Sequence, residues 1–122
     1  MERYVEVMKQ STELMATIEE GIDHIRFQLN EGKYEQSILL FEDVLVAYVS
    51  VEKSLSPLVT SVETESISSS MQTLKENFEQ IVVSFEQKQY GKVKEIIQFT
   101  VLPMVQKVRK QLEQAFNQYL IS

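Results

Sequence analysis

The chain predicts an all-α fold, an up-down antiparallel four-helix bundle built from two repeated helical hairpins. Three observations carry that prediction. Met15, Ile18, Ile22, Ile25, Leu29 and Tyr34 are echoed 56 residues later by Met71, Leu74, Phe78, Ile81, Phe85 and Tyr90. Inside each copy the apolar residues mostly recur in steps of three and four, the period of one helix face. Only three glycines and two prolines stand among 122 residues, which is little turn material and favours a few long elements. A helical pattern recurring at this distance reads as one hairpin written twice.

The first helix follows Tyr4, Met8, Ser11, Met15, Ile18, Ile22, Ile25 and Leu29, a heptad seam interrupted only by Ser11. Asn30-Glu31-Gly32 ends it, because glycine accepts the left-handed backbone of a helix C-terminus. A second helix runs from about Tyr34 to Leu55 and stops before Pro57. Hairpin 1 thus covers about 3–56, a Ser/Thr-rich linker about 56–63, and hairpin 2 about 63–120. Ser56 with Pro57, or Thr60 with Glu63, offers alternative caps for the third helix. That helix carries Ile67, Met71, Leu74, Phe78, Ile81 and Phe85. Gly91 is expected to mark the second turn and one extra residue to enter beside it. The match then resumes at an offset of 57, from Leu39 with Ile96 through Val44 with Val101 to Leu55 with Leu112. Pro103 is expected to kink the fourth helix, since it removes a backbone donor and presses on the carbonyl of Phe99.

Composition narrows the function classes. Eighteen acidic against twelve basic residues give a net charge of −6, the wrong balance for a protein that releases counterions from phosphates. Nucleic acid is therefore not an expected partner. No apolar run approaches the roughly 20 residues of a membrane span, so no membrane partner is expected either. Absence of cysteine removes thiolate ligands and disulfides and agrees with a reducing cytoplasm. The opening Met-Glu-Arg-Tyr lacks the character of a secretory signal.

The segment from Gly32 to Leu45 resembles the turn and second helix of a tetratricopeptide repeat. Tyr34 after the turn, the small Ser37 three residues later and the Phe41-Glu42 pair carry the resemblance. It stops there. The internal period is 56 to 57 rather than 34, the tryptophan-leucine-glycine pattern is missing, and Lys94 stands where the second copy needs a small residue. Any tight helical hairpin needs a turn residue, a packing tyrosine and an apolar stripe.

No catalytic constellation emerges, and an enzyme is not expected. The single histidine, His24, lies between the core positions Ile22 and Ile25 and has no Glu-x-x-His partner motif, so neither a di-iron nor a zinc centre is expected. Glu19-Glu20 and Glu42-Asp43 are neighbours in sequence, which on a helix point about 100° apart rather than at each other. No glycine-rich phosphate loop exists, and no cofactor is expected.

The remaining signal is apolar excess on the second helix. Its core stripe reads Leu40, Val44, Tyr48, Val51 and Leu55, yet Phe41, Val46 and Val49 lie beyond it, against Gln98, Pro103 and Gln106 in the second copy. Phe41, Leu45, Val46 and Val49 are accordingly the candidate interface. A second copy forming a homodimer is one way to cover it, and a wide core closed by Leu58, Val59 and Val62 is another. Phe99, Phe116 and Leu120 are further candidates on the fourth helix. The expected role is a cytoplasmic, non-catalytic bundle acting through protein contacts with a partner the chain does not identify: an adaptor, a chaperone-like protein or an assembly factor. The alternative is a small-molecule binder whose interhelical pocket is lined by Met8, Met15, Met71 and Met104.

Overall fold

Helix forms wherever the apolar period runs unbroken. The computed structural model describes residues 2–58 and 65–120. α1 spans Glu2–Asn30 and α2 Tyr34–Leu55, followed by a 3-10 turn at Ser56–Leu58. α3 spans Glu65–Glu86 and α4 Tyr90–Ile96; a π-helical turn at Ile97–Val101 then leads into α5, Leu102–Leu120. α4, the π turn and α5 make one continuous rod, so the bundle has four rods, and no strand occurs among the described residues. The 29 residues of α1 make it about 44 Å long at 1.5 Å per residue. Thr60, Glu63, Val59 and Val62 lie outside the described residues.

The two hairpin turns are built alike. After α1, Gly32 takes φ +74°. Its N–H donates to the Leu29 carbonyl, while the Lys33 N–H donates to that of Gln28. This pairing satisfies the last carbonyls of the helix. After α3 the same bonds run from Lys88 to Phe85 and from Gln89 to Ser84. Lys88, not Gly91, takes the left-handed conformation there, with φ +57°. Gly91 is the second residue of α4. The expected turn glycine is therefore corrected: the repeat places Lys88 where the first copy has Gly32. Lys88→Gly is expected to raise stability by about 0.5–1 kcal/mol, relief of a strained side chain partly offset by the looser unfolded chain. A urea midpoint that falls instead would refute this account of the turn.

The extra residue also enters elsewhere than expected. Ser37 and Phe41 are buried, as are Val93 and Ile97 at an offset of 56; the next buried pair, Val44 and Val101, is offset by 57. The insertion thus lies among Gln98, Phe99 and Thr100, inside the π turn. One added residue would swing all later side chains through about 100°. A π turn takes up that residue locally, so Val105, Val108, Leu112 and Phe116 stay on the core. At Pro103 the rod continues without a break, and the irregularity sits in the turn just before it, where the proline ring would otherwise meet the Phe99 carbonyl.

Each rod gives one stripe to a shared core. In α1 the stripe is Met8, Met15, Ile18, Ile22, Ile25 and Leu29, and in α3 it is Ile67, Met71, Leu74, Phe78, Ile81 and Phe85. α1 lies close against both α2 and α5. A Cβ at Gly21 would stand 3.0 Å from Val44 Cγ2, so glycine is what lets α1 and α2 close up there. α2 and α3 keep their backbones further apart and meet through rings. Phe41 stands edge-on to Phe78 at 5.8 Å between centroids, and Tyr48 edge-on to Phe78 at 5.1 Å, the arrangement that aromatic quadrupoles favour. The Tyr48 hydroxyl donates to the Met71 carbonyl at 2.6 Å. Burial, with the Glu52 carboxylate nearby, pushes this phenol far above its ordinary range. At the hairpin end Tyr34 and Tyr90, each the first residue of its helix, stack at 3.9 Å with planes 4° apart. The two tyrosines occupy equivalent positions of the repeat, 56 residues apart.

Phe41 is consequently a core residue, 2% exposed. Its expected place on an outer face is corrected, and its counterpart is Ile97 rather than Gln98. The reason is the shifted insertion: at an offset of 56 both residues occupy the same inward position. Leu40, expected in the core stripe, is half-buried at its edge.

Candidate interaction face on the second helix

The inward face of α2 reads Ser37, Phe41, Val44, Tyr48, Val51 and Leu55, alternating steps of four and three. Half a turn away lies a second series: Leu39, Glu42, Val46, Val49 and Lys53. All five are exposed. Leu39 is 62%, Val46 69% and Val49 44% accessible. Ile38 and Leu45 flank the series and are half-buried against the core. Of the four residues that the sequence singles out, Val46 and Val49 come together in the open, Leu45 forms the rim, and Phe41 is absent. Leu39 was hidden inside the run Ile38-Leu39-Leu40-Phe41, although its seven-residue step to Val46 is the signal that would have found it.

Val46 and Val49 adjoin on the outer surface and Leu39 stands two turns away beyond Glu42, an interrupted stripe of exposed apolar side chains at helical spacing. Their surroundings are acidic on one side, with Glu42 and Asp43, and basic at the far end, with Lys53. On the fourth rod Phe99 is 71% exposed, pushed outward by the π turn, whereas Phe116 belongs to the core.

Elsewhere the surface offers less. His24 is exposed and lies beside Phe27, ring centroids 6.0 Å apart, in the solvent-facing place its sequence position suggests. Among the described residues no group of three or more His, Asp or Glu could hold a metal ion. Glu19 reaches Arg109 of α5 at 3.4 Å, and Arg26 meets Asp23 at 2.6 Å. The Arg26–Asp23 pair is largely exposed and contributes little to stability, whereas Glu19 and Arg109 are half-buried. A cleft of about 190 Å³ opens between Leu55, Ile67, Met71 and Leu112, with Glu52 and Gln72 at its rim. Of the four methionines expected to line a pocket, only Met71 reaches it. Met8 and Met15 are sealed in the core, and Met104 is half-buried on the fourth rod.

Among the described residues no helix is long and apolar enough to cross a membrane. The model of a family described as a domain of unknown function (DUF8042) matches residues 6–111, and the chain belongs to that family. No curated protein and no solved structure matches it.

Proposed function

We propose that this member of the DUF8042 family is a non-catalytic cytoplasmic bundle that works through protein contacts made by the outward face of α2. The observation that supports the reading is the exposed series Leu39, Val46 and Val49 on a helix whose opposite face is fully committed to the core. Burying such a stripe against another protein removes apolar surface from water at roughly 25 cal/mol per Å². A helix presenting residues at this spacing suits a partner helix or an apolar groove. Adaptor, chaperone-like and assembly roles all use such a surface. The small-molecule reading has less support. The cleft beside Met71, at about 190 Å³, falls below the roughly 300–1,000 Å³ of ordinary ligand pockets, and the larger surface hollows of about 440 and 400 Å³ are lined mostly by charged and amide side chains rather than by apolar ones.

Affinity capture from the native cytosol with the wild-type chain and with Val46→Asp/Val49→Asp tests the reading. Wild type is expected to retain a stoichiometric partner, a foreign chain or an untagged copy of itself, that the double variant loses by at least about tenfold, the factor set by 1.4 kcal/mol. Both substitutions are on the surface, so equal thermal unfolding of the two baits is the control. Equal recovery by both, or no partner on wild type, overturns it.

A further inference from the structure

We infer that the α2 face pairs with the same face of a second copy, antiparallel, in a symmetric dimer. The inference rests on reading this face as a contact surface and names its occupant. Leu39, Glu42, Val46, Val49 and Lys53 advance in steps of three, four, three and four, a heptad seam on the outside of the bundle. Among the described residues neither Glu42 nor Lys53 is ion-paired within the chain.

A two-fold axis demands a self-complementary patch. When the axis is perpendicular to two antiparallel helices, facing residues have numbers that sum to a constant. Centring the axis midway between Val46 and Val49 pairs four of the five at once and sets Leu39 opposite Ser56 at the edge of the contact. Val46 faces Val49 of the second copy, and Glu42 faces Lys53 of the second copy, each contact occurring twice. Two valine layers are then closed at both ends by opposite charges. A parallel pair would set Glu42 against Glu42 and Lys53 against Lys53, placing like charges together at both ends. The charges therefore select the antiparallel orientation as well as the partner.

Sedimentation equilibrium on the full chain tests the pairing with charge exchanges. Glu42→Lys and Lys53→Glu alone each turn two attractive contacts into two repulsive ones and are expected to weaken dimerisation by about tenfold or more. Combined in one chain they restore opposite charges at the same places, and affinity is expected to return to within about threefold of wild type. Register is read separately, because the chain has no cysteine of its own. Val46→Cys mixed with Val49→Cys is expected to give a disulfide-linked heterodimer on mild oxidation, faster than either variant links to itself. A wild-type chain that stays monomeric to about 0.5 mM, where a millimolar Kd would already hold roughly a third of the chains in dimers, overturns the inference. So does a dimer indifferent to the single exchanges, or one the double exchange fails to restore. If the wild type is monomeric while a foreign protein is still captured through Val46 and Val49, the self-pairing falls and the contact reading stands. Loss of both fells both.

Discussion

Deleting Glu20 from the middle of α1 is expected to unfold the protein, whereas deleting Phe99 from the π turn leaves the bundle assembled. Removing one residue from a regular helix turns everything on one side of the cut by about 100°. In α1 that carries off Ile22, Ile25 and Leu29, or else Met8, Met15 and Ile18, all at most 1% exposed. Three buried aliphatic side chains are worth roughly 5–9 kcal/mol together, which rivals the entire stability of a small domain, about 5–15 kcal/mol. Deletion in the π turn does the opposite, since it removes the residue that makes the second copy longer and returns the rod to regular α-helix. What remains is the penalty of Pro103 in a regular helix, about 3 kcal/mol, and adding Pro103→Ala is expected to recover most of it. Circular dichroism at 222 nm with urea titration separates these outcomes. Equal loss of structure in both deletions would show that the π turn does not absorb the insertion.

Phe78→Ala is expected to destabilise the protein by about 3–5 kcal/mol, the range for truncating a buried phenylalanine. Phe78 is 2% exposed and stands between Phe41 and Tyr48. α2 and α3 meet mainly through these rings, so little backbone contact exists to close the gap. Phe27→Ala is the internal control. That ring is 53% exposed, and its loss is expected to change stability by less than about 0.5 kcal/mol. A Phe78→Ala chain with a nearly unchanged urea midpoint would mean that the α2–α3 seam is not held by this cluster.

The two hairpins, their heptad seams and the inward residues of α1 and α3 were legible because a helix repeats its environment every three or four residues. Nothing distant needs to be known to see that Ile22, Ile25 and Leu29 share a face. Placing the extra residue was harder. Ile96 and Ile97 are both apolar, so either offset aligns a hydrophobic residue with Leu39 or Phe41, and the run Ile38-Leu39-Leu40-Phe41 fits two registers equally well. Burial resolves the ambiguity: Phe41 and Ile97 point inward, Leu39 and Glu95 outward. The same ambiguity separates Phe41, which is buried, from Val46 and Val49, which are exposed. Val46 and Val49 lie in a stretch with one register, while Phe41 lies in the stretch with two. Lys88 could not be identified as the left-handed residue, because lysine carries no local signal for that conformation.

By itself the sequence determined the class, the number of rods and the pairing of hairpins, all of which follow from local periodicity and from the repeat. Only the tertiary structure decided the rest. It put the inserted residue into a π turn, because keeping Val101 through Phe116 on the core outweighs the loss of one regular turn. It also turned Leu39, Val46 and Val49 to the outside, because α2 has one inward face and Phe41, Val44 and Tyr48 already occupy it.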